Sequence, residues 1–463
     1  MTTKRPQGAP RRSLAARQRA RSAMLAEQSG TNAIAYEGAL PFGSALSVER
    51  YRLANGLQVL LVEDRAAPVV AYHTWFRVGS RHERQGKTGL AHLLEHLMFN
   101  EFEGMKPGEF DRKLEEAGAE TNAATWVDWT YYYENLPASQ LGLAIALESR
   151  RMGKLVMQQA QVTSELEVVA NERRYRVDDD VDGAVSEKLY SRAFTTHGYR
   201  TPTIGWMDDI KGLTPDDCRG FYTTYYAPNN ATLVVVGDFD EVATIRKIAA
   251  AYGELKPAEI PVEDSHPDAP QTEQRTEVLH KPTPTDKVSI GYHGPALADY
   301  DHSALSLLND ILFGGRSSRV HRALVQDAEI ATDVRGWVST FQDPGLYEIG
   351  LVARPERSAE ELLAKLDEQL EKVCAEPVTE DELERARARA ELGLLRGMET
   401  CGGKAEQIAF YTTTLGEPCG AFQRLEQLRR VTRSDVLKAA RRYLRPEART
   451  VITVHPQPKE ATP

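Results

Sequence analysis

Cysteine is scarce in this chain of 463 residues, and its spacing is irregular. The four cysteines are widely separated and form no C-x-x-C pair: Cys218, Cys374, Cys401 and Cys419. Cysteine-ligated zinc sites and disulfide-rich secreted domains both need clustered or regularly spaced cysteines. The sequence therefore argues against a cysteine-ligated metal, and it is typical of a protein with free thiols in a reducing compartment.

Long apolar runs and basic stripes are also missing. No run approaches the roughly 18–20 apolar residues that are needed to span a bilayer. The net charge of −10, without a clustered basic surface, argues against a nucleic-acid partner. A hydrophobic content of 41% and a charged content of 27% are typical of globular proteins. A chain of this length is expected to contain two or more domains.

Acidic residues are absent from the beginning of the chain. Residues 1–26 contain seven basic residues, and the first acid is Glu27. The segment lacks the apolar core of a secretory signal. One interpretation is a disordered basic tail over residues 1–45 of a cytoplasmic bacterial protein, which the lack of a helical apolar stripe favours. The alternative is a transit peptide, which would place the mature protein in the mitochondrial matrix.

The most informative motif is HLLEH, formed by His92, Glu95 and His96. Two histidines four residues apart lie on one face of a helix, so both imidazoles can reach one ion. Glu95 projects from the same face and can take a proton from a metal-bound water. The order is inverted relative to HExxH, and H-x-x-E-H is the inverzincin signature. The motif predicts a zinc peptidase.

The residues around the motif strengthen this interpretation. They make the helix apolar almost all round: Leu90, Leu93, Leu94, Leu97, Met98 and Phe99. A lone histidine on such a helix is usually a core residue. An ionised glutamate in a buried helix, however, costs several kcal/mol unless it is paired. The combination of two histidines and a glutamate therefore favours a bound cation.

A hydrolytic zinc site needs a third protein ligand. The stretch QVTSELEVVANERRYRV is predicted to be helical, and its Glu165 and Glu172 are seven residues apart, close to two full turns. They therefore share a face. From the residues alone either glutamate could be the ligand, and either could be an ordinary solvated side chain.

Together these motifs resemble the pitrilysin, insulinase and mitochondrial processing peptidase family. Its members carry the inverted motif and a ligating glutamate at a similar distance beyond it, and Glu172 follows His96 by 76 positions in a similar VVxNERR context. The resemblance extends from about Tyr51 to about His455. It implies one Zn²⁺ per chain held by His92, His96 and Glu172, with Glu95 as the base. Glu165 matches a nearby acidic residue that would hold or orient a ligand.

The chain also contains an internal repeat. LLEHLMF at 93–99 aligns with LLNDILF at 307–313, and residues 213–237 align with residues 431–455 at nearly the same offset. Each half is predicted to start with a strand (LQVLLVE and KVSIGYH), to continue with helices and to close with a Val-rich strand. This order predicts an α+β fold of two homologous sandwich halves. The family resemblance implies that such halves face each other around a chamber.

The repeat gives the domain boundaries. We expect a catalytic half at 46–253, a linker at 254–285, where six prolines occur, and a second half at 286–463. In that second half the motif has decayed. The positions of His92, Glu95 and His96 are taken there by Ser306, Asn309 and Asp310. Only the first half is therefore expected to hold the metal.

Residues 117–137 are predicted to form a strand or hairpin after a helix at 108–117. An aromatic-rich strand without a binding role is the simpler interpretation. The family resemblance implies instead that an N-A-x-T strand beside the zinc binds the peptide through main-chain hydrogen bonds. The matching residues are Asn122, Ala123, Ala124 and Thr125.

The chain departs from the family pattern in its second half. Catalytic members usually carry an arginine followed at a fixed spacing by a tyrosine, and the pair steadies the substrate. Here Tyr347 and Arg354 are seven residues apart in the opposite order. Either this reversed pair serves, or a homologous Arg/Tyr-bearing subunit supplies the groups. We expect such a heterodimer, with a homodimer as the alternative.

The leading functional prediction is a zinc-dependent metalloendopeptidase acting on peptides or unfolded segments. Two alternatives share the same fold. One is a catalytic subunit of the mitochondrial processing peptidase type, and the other is a non-catalytic core-type structural subunit. The complete motif argues against the latter.

Overall fold

A computed structural model describes residues 33–262 and 267–457. The first of its two sheets has seven strands: β1 (Ile34–Phe42), β2 (Leu46–Leu53), β3 (Gln58–Glu63), β4 (Val69–Phe76), β5 (Glu120–Thr125), β6 (Thr130–Pro137) and β7 (Ala231–Gly237). The second has five: β8 (Arg275–Lys281), β9 (Lys287–His293), β10 (Ala331–Val338), β11 (Leu346–Ala353) and β12 (Arg449–Pro456).

The helices fall between the strands of each half. Those of the first half are α1 (Leu90–Leu97), α2 (Glu109–Glu116), α3 (Leu141–Gly153), α4 (Gln159–Arg173), α5 (Val181–Ala193), α6 (Met207–Lys211), α7 (Pro215–Tyr225) and α8 (Glu241–Tyr252). Those of the second half are α9 (Tyr300–Phe313), α10 (Ala359–Ala375), α11 (Glu380–Arg396), α12 (Cys401–Leu415), α13 (Gly420–Arg430) and α14 (Arg433–Tyr443).

The two sheets share one topology. The first has the order β1-β2-β3-β7-β4-β6-β5 and the second the order β10-β11-β9-β12-β8, so β8, β12, β9, β11 and β10 repeat β3, β7, β4, β6 and β5. In each sheet the pair at the equivalent position, β3 with β7 and β8 with β12, is parallel. The predicted α+β duplication is confirmed. One detail was wrong: KVSIGYH is β9, which repeats β4 rather than the opening strand β3.

Both faces of the first sheet are buried, because alternate side chains of a strand point to opposite faces. On β4, Tyr72 faces the core shared with the helices of its own half. Trp75 faces the other side, where it packs with Ile408 of α12 from the second half. Reciprocally, Leu189 of α5 packs with Ile452 on the second sheet. The halves therefore exchange equivalent helices, and neither sheet is covered by its own half alone.

The domain boundaries need two corrections. The expected tail, residues 1–45, includes strand β1, which pairs with β2 along its length and donates a hydrogen bond from Tyr36 Oη to Glu49 (2.7 Å). The expected linker, 254–285, includes β8, which pairs with β12. Proline content signalled the connection but could not show that a strand resumes at residue 275. Residues 1–32, on which the transit-peptide alternative depends, lie outside the described residues.

We expect a chain that begins at residue 46 to unfold at a lower temperature than one that begins at residue 33. The longer chain keeps β1, whereas the shorter one exposes the edge of β2 and loses the Tyr36–Tyr51 ring contact at 5.1 Å. Scanning calorimetry of the two chains would measure the difference. Equal unfolding temperatures would show that β1 adds nothing to stability.

Across residues 33–262 and 267–457, no helix combines the length and apolar character that crossing a membrane requires.

Candidate metal centre

Helix α1 carries the motif, and its beginning is fixed by buried groups. Gly89 starts the helix in the left-handed region (φ 89°), and a Cβ there would lie 2.7 Å from the carbonyl oxygen of Ile204. The Glu83 carboxylate accepts the backbone N–H groups of Gly89 and Ala91, both at 2.8 Å. A side-chain acceptor at a helix N-terminus satisfies free backbone N–H groups, and burial here raises the pKa of Glu83 to about 8. The direction of α1 is therefore well defined.

The two histidines of α1 meet Glu172 of α4. Glu172 Oε2 lies 3.2 Å from His96 Nε2 and 3.6 Å from His92 Nε2. One ligand atom from each residue lies within 4.8 Å of the others, and no second such cluster occurs in the described part of the chain. The structure thus brings together the three residues that the resemblance implies as ligands.

The spacing of these atoms suits zinc. Tetrahedral ligands about 2.1 Å from a zinc ion are about 3.4 Å from one another. The two distances to Glu172 Oε2 bracket this value. Glu172 Oε2 is buried, and among the described residues no donor has the geometry of a hydrogen bond to it. Two imidazoles and one carboxylate are also a donor set found in hydrolytic zinc enzymes.

The electrostatics of the site favour a cation. Burial lowers the pKa of His92 to about 4, which keeps this imidazole neutral and able to ligate. Burial also opposes a charge on His96, but the adjacent carboxylates of Glu165 and Glu172 outweigh it and raise the pKa of His96 to about 9. The space between these carboxylates therefore attracts positive charge, which an ion would supply when bound.

Glu95 is held apart from the ligand cluster. Its Oε2 accepts a hydrogen bond of 2.5 Å from Thr125 Oγ1, at the end of β5. Burial raises the pKa of Glu95, while the Thr125 hydroxyl opposes that rise by stabilising the carboxylate. A carboxyl group with a raised pKa beside a metal site is suited to accept and return a proton.

Glu165 lies on the far side of His96 from the ligand cluster. Its Oε2 is 3.5 Å from His96 Nδ1, and its Oε1 accepts a hydrogen bond of 3.0 Å from Asn100 Nδ2. Carboxylates in this position commonly fix the ring orientation of a ligating histidine. Asn100 was not predicted, although it follows the motif by only four residues. Asparagine carries no sequence signal for this role.

A second group that sequence reasoning missed is Arg173, the neighbour of Glu172. Its buried guanidinium donates to the carbonyl oxygen of Gly205 (2.8 Å) and to Glu187 (2.7 Å). Gly205 packs against Gly89, so that a Cβ at Gly205 would lie 2.6 Å from Gly89 Cα. One loop therefore contacts both the helix that carries Glu172 and the start of the helix that carries the histidines.

We expect Arg173→Gln to weaken zinc binding by roughly 10- to 100-fold, the range found for groups that support metal ligands. The shorter amide cannot reach both Gly205 and Glu187, so the two helices lose a common anchor. Competition with a chelator would measure the dissociation constant. Arg174→Gln, at the exposed neighbouring position, is the matched control. Equal affinities in the two variants would contradict a positioning role for Arg173.

The four residues predicted to bind a peptide lie on β5. This strand is at the end of its sheet and pairs only with β6 in the part of the chain that the structure describes. Asn122 is exposed, and Thr125 reaches Glu95. A free strand edge beside the ligand cluster is suited to pair with an extended peptide.

The proposed reversed pair is wrong. Tyr347 is 0% exposed and lies in the core of the second half, on β11. The Arg354 guanidinium already binds neighbouring groups. It donates a hydrogen bond to the carbonyl oxygen of Val325 and forms an ion pair with Glu329. Neither side chain is placed to steady a substrate. A fixed sequence spacing does not indicate which face of a strand a side chain occupies.

In the second half, the residues at the motif positions form hydrogen bonds and an ion pair between α9 and its neighbours. Asn309 Nδ2 donates to the carbonyl oxygen of Gly336 (3.1 Å), and Asp310 pairs with Arg389 (2.9 Å). Ser306 accepts a hydrogen bond of 2.8 Å from Arg424. These positions therefore make ordinary structural contacts.

A duplicated α+β fold in which one half carries H-x-x-E-H and a distant glutamate defines a class of metallopeptidases. Residues 58–205 match the family model described as insulinase (peptidase family M16), and residues 212–390 match the model described as the peptidase M16 inactive domain. The chain belongs to this pitrilysin/insulinase family of zinc peptidases.

Individual proteins of similar sequence or structure support this family assignment. The chain is 29% identical over 412 residues to a protein named zinc protease PqqE of Helicobacter pylori, covering 88% of this chain and 93% of that protein. A solved structure of a protease from Helicobacter pylori covers 88% of this chain and 99% of its own, with a TM-score of 0.84 and 29% identity. A structure described as a peptidase M16 inactive domain from Pseudomonas fluorescens has a TM-score of 0.81 at 19% identity, which shows the fold alone.

Proposed function

We propose that this chain is a zinc-dependent metalloendopeptidase with one zinc ion per chain, held by His92, His96 and Glu172. The observation that carries the proposal is the convergence of their ligand atoms beside a separate, partly buried carboxylate, that of Glu95. The names of the relatives support the choice of zinc.

The chemistry divides between the ion and the protein. When bound, zinc acts as a Lewis acid and lowers the pKa of water. The Glu95 carboxylate would remove a proton from the attacking water and then donate it to the nitrogen of the leaving amine. Thr125 holds Glu95 in place through its hydroxyl. The free edge of β5 aligns the peptide main chain, a recognition mode that accepts many sequences.

Zinc analysis of purified variants tests the ligand assignment. His92→Ala, His96→Ala and Glu172→Ala should each reduce bound zinc well below one ion per chain, because a three-ligand site cannot lose a ligand without losing affinity. Glu165→Gln should retain more zinc than any of these. Full zinc content in one of the three ligand variants would remove that residue from the site.

We further propose that a homologous subunit bearing the Arg/Tyr pair completes the active site. The burial of Tyr347 and the local contacts of Arg354 support this, since neither side chain of the reversed pair is available to a substrate. Poor positioning of a substrate can cost on the order of 100-fold in rate. The zinc-loaded chain should therefore cleave peptides slowly alone and faster after the addition of any paralogue that is encoded beside it. Full activity from the lone chain would favour a homodimer.

A further inference from the structure

The second half contains a buried cation, the guanidinium of Arg424 on α13, whose acceptors are all neutral in the described part of the chain. Arg424 is 9% exposed. Its Nη2 donates to His302 Nδ1 (2.6 Å), to the carbonyl oxygen of His302 (3.2 Å) and to Ser306 Oγ (2.8 Å), and its Nη1 donates to Ser303 Oγ. None of these acceptors is a carboxylate. A buried charge is strongly disfavoured unless an ion of opposite sign compensates it.

The histidine beside Arg424 cannot supply the missing negative charge. His302 Nε2 lies 2.9 Å from the carbonyl oxygen of Ser339 and donates to it, so its Nδ1 is the acceptor for Arg424 and the ring is neutral. Burial, reinforced by the guanidinium, lowers the pKa of His302 to about 3. Burial also lowers the pKa of Arg424 to about 10, which leaves the guanidinium charged at neutral pH. The site therefore keeps a net positive charge.

Arg424 lines a cavity of about 210 Å³ between α13, the end of α12 and the loop before α9. Within the described residues its Nε–H has no acceptor, so this group is available to a ligand. The cavity is smaller than the roughly 300–1,000 Å³ of pockets for drug-sized ligands. Its occupant is therefore a small molecule with a negatively charged group.

The rest of the cavity lining narrows the class of ligand. Glu417 is exposed and lines the same cavity, and its carboxylate accepts a hydrogen bond of 3.1 Å from Gln423 Nε2. Leu297, which is buried, and Leu415, which is half-buried, add an apolar wall. A space the size of one small molecule thus combines a buried positive group, an exposed negative group and apolar surface.

We propose that this cavity binds a free α-amino acid with an aliphatic side chain. The carboxylate of the ligand accepts from Arg424, its ammonium group faces Glu417, and its side chain packs against Leu297 and Leu415. A carboxylate is the natural complement of a guanidinium, and such charge-assisted hydrogen bonds are stronger than neutral ones. The site belongs to the second half, whereas the proposed zinc ligands belong to the first. The inference therefore does not depend on the peptidase function.

Isothermal titration calorimetry of the full chain with leucine tests the proposal. Leucine should bind saturably, and isoamylamine, which lacks the carboxylate, should bind at least about 10-fold more weakly, because hydrogen bonds to charged groups contribute that much. Inorganic phosphate should also bind more weakly than leucine, since it offers nothing to the apolar wall. Arg424→Gln should weaken leucine binding roughly 10- to 100-fold. Arg430→Gln, at an exposed position of the same helix, is the matched control.

The cavity also borders the junction of the two halves, which gives a second measurement. Tyr411 of α12 lines the cavity and packs in the cluster that includes Trp75 of the first sheet. A ligand that binds only the folded chain raises its unfolding temperature in proportion to the logarithm of ligand concentration. Leucine should therefore raise the unfolding temperature of the wild type and of Arg430→Gln, but not that of Arg424→Gln.

Glu417→Gln keeps the test decisive even if Arg424→Gln fails to fold. This exposed replacement should weaken the binding of leucine but leave the binding of N-acetylleucine, which has no ammonium group, unchanged. Misfolding could not produce that difference. Equal affinity for leucine and isoamylamine, the absence of saturable leucine binding, or full affinity in Arg424→Gln would each overturn the inference. Phosphate that binds more tightly than leucine would overturn the assignment to an amino acid.

Discussion

Glu95→Gln is expected to abolish peptide hydrolysis while zinc remains bound. Glutamine has nearly the same shape and can still accept the Thr125 hydrogen bond, but it cannot take a proton from water. Positioned acid–base groups contribute roughly 100- to 10,000-fold to the rate, so activity should fall by at least that range. A peptide assay and metal analysis of the same preparation would measure both properties.

Thr125→Val is the informative companion to this variant. Loss of the hydroxyl removes a group that stabilises the charged carboxylate, so the pKa of Glu95 should rise. The acidic limb of the pH–rate profile should consequently move to higher pH, with zinc content unchanged. If Glu95→Gln lost zinc as completely as His96→Ala, Glu95 would be a metal ligand and could not be the separate base.

Arg151→Met is expected to lower the free energy of unfolding by about 3–5 kcal/mol, the usual loss when one partner of a buried ion pair is removed. Arg151 is 1% exposed and lies between the carboxylates of Glu134 (0%) and Glu148 (2%). Its guanidinium also lies over three aromatic rings, 4.3 Å from Tyr132, 4.6 Å from Phe110 and 5.2 Å from Phe99. Without it, two buried carboxyl groups face each other with no cation.

The protonation of the cluster defines the control. Burial, together with the neighbouring Glu148, raises the pKa of Glu134 well above its usual range, which favours the protonated form of this carboxyl group. The triple variant Arg151→Met/Glu134→Gln/Glu148→Gln should therefore recover much of the lost stability. Arg150→Met, at the exposed neighbouring position, should change stability little. Urea denaturation would measure all three, and a loss below about 1 kcal/mol for Arg151→Met would contradict a central role for the cluster.

The sequence predicted the local part of the site well, because helical geometry relates residues that are close in the chain. His92 and His96 needed only the spacing of one helix turn. Glu165 and Glu172 could not be ranked by spacing, and the structure places both near His96. The family resemblance singled out Glu172, and its Oε2 is the oxygen that faces both histidines.

Long-range packing could not be predicted in the same way. The apolar residues of α5, such as Leu189, indicate a buried face but do not say which sheet covers it. Arg151 lies in a charged ESRR stretch, where sequence patterns favour an exposed side chain, yet it is among the most buried residues. Tyr347 with Arg354 was one of two alternatives for steadying the substrate, taken from the family's Arg/Tyr spacing. That spacing does not show which face of a strand a side chain occupies, and Tyr347 is buried in the core.

The exchange of helices between the halves gives the second copy a structural role, although it lacks the H-x-x-E-H motif. Without residues 401–415, an apolar face of the first sheet that includes Trp75 and Val234 would be exposed to solvent. Burial of each such side chain stabilises the fold by about 1.5–3 kcal/mol. The second copy can therefore lack histidines at the positions of His92 and His96 and still be needed, because its helix covers the first sheet. For the same reason we expect that the first half does not fold stably when it is separated from the second half. When expressed alone, the first half would expose this apolar face of its sheet to water and aggregate.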